Sequence, residues 1–240
     1  MTEITTQTIQ IHNGDTAIDA YLAIPQLPKS DWGIVIVQEI FGVNAHIQDV
    51  TRRFAQQGYV AIAPAIYQRS APGFQVGYDT EGFQLGVLYK EQTTAEQLLG
   101  DIQAAVDYLK SLPHIKKIGT IGFCFGGHVV YLCASVDSID ATASFYGARI
   151  VNQRPGGGEQ PTIAITPQIK GKVYAFFGEN DPSIPPEHFE QIESALTKQN
   201  PANRVFVYPN AEHGFFCDQR ASYNKQAAED AWSKVLELFF

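Results

Sequence analysis

The residues that could do chemistry gather around one cysteine. Gly122-Phe123-Cys124-Phe125-Gly126-Gly127 follows the apolar run from Lys117 to Ile121 and precedes the helix-like Val129-Val130-Tyr131-Leu132-Cys133. Glycines two positions on either side of a residue let a chain turn sharply from strand to helix, which leaves the central side chain exposed at the bend. In the serine version of this elbow the exposed group is a hydroxyl nucleophile. Here it is a thiol. At a helix N-terminus a thiolate gains from the helix dipole and nearby N–H groups, which lowers its pKa and raises the reactive fraction. The backbone N–H of Phe125 is then expected to point at a developing oxyanion. Without the flanking glycines Cys124 would read as a buried structural cysteine; with strand, glycines and helix together it reads as a nucleophile.

Such a nucleophile needs a base and an acid to orient the base, usually in the chain order nucleophile, acid, histidine. Asp181 leaves the apolar strand Phe176-Phe177 through Gly178 and sits in a loop before a helix, which suits the acid. Capping a turn before Pro182 is an equally ordinary use for it, and Glu179 is a rival. Of six histidines, His213 in Asn210-Ala211-Glu212-His213-Gly214-Phe215 follows a strand and precedes the final helix, so it is the expected base. His12, His46, His114 and His188 read as surface or capping residues. His128 is the nearest rival, but it should point along its helix rather than over the thiol.

The elements that must position these residues follow from periodicity. Thr5 to His12 and Ala17 to Ile24 alternate in polarity around Asn13-Gly14-Asp15, a hairpin signal. The run Gly33-Ile34-Val35-Ile36-Val37, the helical stretch His46 to Gln57 and the strand Tyr59 to Ala63 make a βαβ unit. Leu98, Ile102, Ala105 and Leu109 recur at helical spacing between Thr94 and Ser111. Further strands are expected at Ala141 to Tyr146, Val173 to Phe177 and Arg204 to Tyr208, with helices from Pro186 to Lys198 and from Tyr223 onward. The expected fold class is α/β: a mostly parallel sheet with an N-terminal antiparallel hairpin and helices on both faces, in one domain over residues 1–240. Residues 68–86 and 148–162 show no clear period and read as loops.

Composition narrows the function class. Lys plus Arg number 17 against 25 for Asp plus Glu, a net charge of -8. That argues against nucleic acid or anionic lipid as partner. No apolar run approaches membrane-spanning length, and the N-terminus lacks the apolar core of a signal peptide. Three cysteines suit a reducing cytoplasm with free thiols better than a disulfide scaffold. The expectation is a cytoplasmic protein, a monomer with homo-oligomers left open, acting on a small molecule and using neither cofactor nor metal.

Taken together, the run Gln38-Glu39-Ile40-Phe41-Gly42-Val43-Asn44, the Gly-Phe-Cys-Phe-Gly-Gly elbow, the loop at Asp181 and Ala211-Glu212-His213-Gly214-Phe215 resemble the dienelactone hydrolases, also called carboxymethylenebutenolidases, of α/β-hydrolase fold. The resemblance spans almost the whole chain. It implies a carboxylic ester hydrolase with Cys124, Asp181 and His213 as triad. It also implies a role for Glu39, otherwise a puzzling carboxylate beside an apolar strand. In the family this glutamate holds the resting thiol neutral until substrate displaces it. Attack on a lactone carbonyl then gives an acyl-thioester, with the N–H groups of Phe125 and Ile40 as oxyanion hole.

The substrate is where the sequence departs from the resemblance. The family binds a substrate carboxylate with arginines, one before the long helix and one four residues after the histidine. No arginine lies between Arg69 and Arg149, and Cys217 occupies the second position. Lys90, Arg69 or Arg220 are the available substitutes. The expected substrate is a dienelactone-like lactone or small ester, or the non-acidic substrate of a general carboxylesterase or thioesterase, flanked by Tyr67, Phe83 and Phe215. Readings of other classes are a redox-sensing thiol pair of Cys124 and Cys217, a non-catalytic binding protein, and zinc held by Cys124, Cys217 and His213, whose spacing matches no structural zinc pattern.

Overall fold

A computed structural model describes residues 2–240. Its centre is an eight-stranded sheet in the order β1-β2-β4-β3-β5-β6-β7-β8. The strands are β1 (Ile4–Asn13), β2 (Thr16–Pro25), β3 (Trp32–Val37), β4 (Val60–Pro64), β5 (Lys117–Phe123), β6 (Ala141–Phe145), β7 (Lys172–Gly178) and β8 (Arg204–Tyr208). β1 pairs antiparallel with β2 around the expected turn, with Asn13 opposite Thr16, and β2 pairs antiparallel with β4. All later pairings are parallel. The fold class read from the sequence is therefore correct.

The helices are α1 (Ala45–Gln57), α2 (Thr80–Glu91), α3 (Ala95–Lys110), α4 (Phe125–Cys133), α5 (Pro186–Gln199) and α6 (Lys225–Leu238). Alternate residues of the fully buried β3 feed two cores, as the two-residue period of a strand requires. Ile34 and Ile36 pack with Ile47, Val50 and Phe54 of α1 and with Ala231 and Val235 of α6. Val35 and Val37 pack with Leu98, Ile102 and Leu109 of α3 and with Val129 of α4. Sheet strands that are apolar on both faces, such as β3, demand this double cover.

Helix α2 was not expected, because residues 68–86 carry no apolar period. Asp79 caps it, accepting the Gly82 N–H at 2.7 Å. Its inward positions are Gly82 and Gly86, and a Cβ at Gly86 would run into the Ile40 carbonyl oxygen. Close backbone approach replaces the apolar stripe that periodicity detects. Residues 148–162 form turns, followed by a 3-10 segment at Thr162–Gln168 that the sequence did not signal.

An ion pair ties the turn after β4 to α3, and a hydrogen bond from the opening hairpin joins it. Arg69 Nη1 and Nη2 lie 2.7 and 2.8 Å from the two carboxylate oxygens of Asp101, which is 0% exposed, and Asn13 Nδ2 donates to Asp101 Oδ1 at 2.8 Å. Removing the cation leaves a carboxylate buried beside a single amide. Arg69→Met is expected to cost about 3–5 kcal/mol and to lower Tm by about 10 °C for a chain of this length. A thermal melt displaced by less than about 2 °C would show that the pair is dispensable.

Candidate active site

The carboxyl ends of the parallel strands, where open α/β sheets carry their ligands, gather the residues that can do chemistry. Glu39 and Ile40 follow β3, Cys124 follows β5, Tyr146 follows β6, Asp181 follows β7 and His213 follows β8. Cys124 lies between β5 and α4 with φ 54° and ψ -115°, a backbone state that costs energy for any residue with a Cβ. Its N–H donates to the Phe145 carbonyl at 3.0 Å. The glycines are required by contact: a Cβ at Gly122 would strike the Gly126 carbonyl, one at Gly126 would strike the Val37 and Gln38 carbonyls, and one at Gly127 would strike the Phe145 carbonyl. Phe125 N and Ile40 N donate to no other group among the described residues. Both N–H groups are free to meet an oxyanion.

The ring of His213 meets Asp181 with Nδ1 2.7 Å from Oδ2. Asp181 Oδ1 accepts the Ser183 N–H at 2.8 Å, so one carboxylate caps its own turn and also orients the histidine. Glu179 is exposed on the same loop. Burial by itself pushes the His213 pKa down, but the neighbouring Cys124 sulfur and the hydrogen bonds His213 makes to Asp181 and Cys124 outweigh it, and the pKa stands above its ordinary value. His128, the rival base, lies with Nε2 2.7 Å from Thr162 Oγ1. Burial first, then the Lys90 charge, lower its pKa to about 3, so it is a neutral structural residue.

Glu39 is fully buried and its Oε1 accepts from Arg220 Nη1 at 3.1 Å. The resemblance implies a glutamate on the resting thiol; here the carboxylate is turned to arginine instead. Arg220 also lies over the Tyr78 ring, 5.4 Å from its centroid, and against the opposing effect of burial the Glu39 carboxylate helps hold its pKa above the ordinary value. It is the guanidinium of the site. The other two substitutes are engaged elsewhere, Arg69 with Asp101 and Lys90 with Glu91 at 2.9 Å.

Residues 18–240 match the model of the dienelactone hydrolase family. The chain belongs to that family. A protein of Synechocystis sp. provisionally named carboxymethylenebutenolidase is 53% identical over 239 residues, 99% of this chain and 97% of the relative. A crystal structure from Klebsiella pneumoniae, provisionally assigned as a dienelactone hydrolase, superposes with a TM-score of 0.86 at 29% identity over 99% of this chain and 98% of the other. A dienelactone hydrolase-like promiscuous phosphotriesterase from metagenomic libraries has a TM-score of 0.79 at 21% identity, covering 98% and 97% of the two chains, and speaks to the fold alone. The chain is thus a dienelactone hydrolase-family carboxylic ester hydrolase.

The three aromatics expected to flank the substrate stand in different surroundings. Phe215 is fully enclosed, because Gly214 at φ 81° turns the chain inward and sets the ring against Tyr146 and Tyr208 at 5.4 and 5.2 Å. Phe83 stands 55% exposed on α2, turned away from the inward Gly82 and Gly86. Tyr67 is buried with its ring 6.3 Å from Phe125, and after burial the Cys124 charge is what raises its pKa further. His46, expected at the surface, is fully buried beside Glu39. The sequence reading missed Tyr146, whose hydroxyl has no partner among the described residues and whose ring is 5.1 Å from His213. Its φ of 36° is a strained state of the kind found at functional sites. The available signal was a Tyr-Gly pair at the carboxyl end of an apolar strand. Cys124, Cys133 and Cys217 are all free thiols. Burial, then Glu39, push the Cys217 pKa up to about 11, which keeps that thiol protonated at neutral pH.

Proposed function

We propose that this protein hydrolyses small lactones or esters with Cys124 as nucleophile, through an acyl-thioester. The observation that carries the reading is the 2.7 Å bond between His213 and Asp181, together with a His213 pKa that rises because the Cys124 sulfur is its neighbour. The thiolate attacks the carbonyl carbon, and the N–H groups of Phe125 and Ile40 receive the oxyanion. Collapse expels the alkoxide or enolate, which takes its proton from the His213 imidazolium, and leaves the acyl group on sulfur. Neutral His213 then draws a proton from water, whose hydroxide attacks the thioester and expels the thiolate beside the restored imidazolium, releasing the acid. Asp181 holds His213 in the tautomer both steps need. Glu39 relays the thiol proton to His213 as substrate displaces it, which leaves thiolate and imidazolium, and the carboxylate so restored turns to Arg220. Its pairing with Arg220 at 3.1 Å supports this reading.

Substrate choice depends on Arg220. It is already paired with Glu39, so a substrate carboxylate has to compete with an internal one for the same guanidinium. Of the other aromatics, Tyr67 is the pocket wall, and the free hydroxyl of Tyr146 is a hydrogen-bond donor for a substrate oxygen. The test is a panel of lactones, simple esters and thioesters, each with and without a carboxylate, assayed with the parent and with Arg220→Met. Dienelactone-like substrates predict a KM that rises about tenfold or more in Arg220→Met for carboxylated members only, the loss of one charge-assisted pair. Equal effects on neutral and carboxylated members would point to the general carboxylesterase or thioesterase instead.

A further inference from the structure

Beside the catalytic loop, three buried side chains from distant segments converge with much of their bonding capacity unused. Glu39 follows β3, His46 opens α1, and Cys217 lies in the loop after β8. Their carboxylate, imidazole and sulfur atoms lie within 4.8 Å of one another, and all three residues are fully buried. Both ring nitrogens of His46 and Oε2 of Glu39 lack a hydrogen-bond partner among the described residues. The neighbours of the imidazole are the rings of Phe123 and Phe216, at 5.7 and 6.3 Å, which offer no acceptor. Buried polar groups are almost always satisfied. Here two residues that can bind metal are left open toward a third.

We propose that Glu39, His46 and Cys217 form a site for one thiophilic divalent cation, with Zn2+ the ion that fits. A donor set of one oxygen, one nitrogen and one sulfur matches zinc, and the sulfur disfavours magnesium and calcium. Three protein donors leave a fourth position for water. Tetrahedral zinc needs donors roughly 3.5 Å apart, so the three side chains have to close by about an ångström. Glu39 can do so without losing Arg220, since the arginine holds Oε1 and the open oxygen is Oε2. Binding moves one proton and no electrons: zinc displaces the thiol proton of Cys217 to solvent and takes the thiolate. A surface cavity of about 270 Å³, lined by Asn44, Ala45, Tyr78 and Gln219 among others, lies on the approach. Tyr78 is the wall between that cavity and the cluster, its hydroxyl 3.2 Å from the Cys217 sulfur. This site departs from the expectation of a metal-free protein, and it uses neither Cys124 nor His213.

Occupation fixes Glu39 to the ion, so zinc inhibits hydrolysis. That consequence rests on the role proposed for Glu39 above; the binding does not. The experiment is a zinc titration of full-length, tag-free Cys124→Ala protein by calorimetry and metal analysis, the substitution removing the catalytic thiol as a competing ligand. One equivalent of zinc is expected. The dissociation constant should rise by about tenfold or more in Cys124→Ala/Cys217→Ser and in Cys124→Ala/His46→Phe. Cobalt(II) in place of zinc should give thiolate-to-metal charge-transfer absorption in Cys124→Ala and none once Cys217 is serine. Circular dichroism checks each fold, and if His46→Phe does not fold the Cys217→Ser pair decides. The site is overturned if Cys124→Ala binds no zinc, or if the Cys217→Ser double variant binds it as tightly. Separately, half-inhibition of ester hydrolysis should need about tenfold more zinc in Cys217→Ser than in the parent; equal sensitivity overturns the inhibitory role. A parent without esterase activity would sink the proposed function and leave the titration readable.

Discussion

Cys124→Ala is expected to lower kcat/KM toward p-nitrophenyl acetate by about a thousandfold or more. The reason is that the sulfur is the only protein group in the proposed mechanism that bonds to substrate carbon. What remains in the variant, two free N–H groups and an oriented imidazole, can polarise a carbonyl but cannot form an acyl-enzyme. Cys124→Ser should fall between the two. Its hydroxyl is far harder to ionise, and His213 would have to act as base during attack rather than begin as a charged partner of a thiolate. Mass spectrometry after an activated ester should find an adduct of one acyl group in the parent and none in Cys124→Ala. An alanine variant that keeps the parent rate would remove Cys124 from the mechanism altogether.

The second large effect belongs to Asp181→Asn, expected to reduce kcat toward an alkyl ester by about 10³–10⁴-fold with little change in KM. The amide keeps the shape but offers its NH2 or its oxygen in place of a carboxylate. His213 then loses both the tautomer preference and one of the influences that raise its pKa. The sign of the pH effect follows. In the parent the folded-state pKa is raised above the ordinary 6.5, despite burial, by Cys124 and Asp181. The imidazolium therefore persists at pH values where a free histidine is neutral, and is lost only as pH climbs through the raised pKa. Without the Asp181 carboxylate the pKa falls, so the alkaline limb of kcat/KM should move toward lower pH. An alkyl ester shows this best, because its leaving group needs the proton that p-nitrophenolate does not. If the limb stays put in Asp181→Asn, the 2.7 Å contact does not set the protonation of His213.

The two halves of the site differ in how far a linear reading could reach them. Cys124 was visible because its requirement is local: the elbow works through residues two positions away, and glycines at 122 and 126 are exactly what the carbonyls of Gly126, Val37 and Gln38 leave room for. Asp181 and His213 were visible as loop positions after strands, yet the alternative for Asp181, a turn cap, could not be separated from the acid. The structure has both at once, one oxygen on Ser183 and the other on His213. The direction of the Phe215 ring was not legible. Proximity in sequence to His213 says nothing of direction, and Gly214 reverses it. Helix α2 was missed because Gly82 and Gly86 make its closest approaches to other backbone and only Val87 and Tyr89 add packed side chains, too few for a hydrophobic period.

Arg220 and His46 mark the boundary most clearly. By spacing, the arginine expected four residues after His213 is missing and a cysteine stands there. In space a guanidinium arrives anyway from Arg220, because the loop from Phe215 folds back over Glu39. The sequence by itself determined the parallel sheet with its opening hairpin, the places of Cys124, Asp181 and His213 at strand ends, and the glycine-flanked turn at Cys124, since each depends on short-range periodicity or on backbone sterics within a few residues. Only the tertiary structure decided that Tyr67 and Phe215 are enclosed while Phe83 is exposed, that Glu39 meets Arg220 rather than the thiol, and that Glu39, His46 and Cys217 share one buried space. Those are meetings of residues up to 181 positions apart, fixed by how helices and loops pack on the sheet and not by any local preference of the chain.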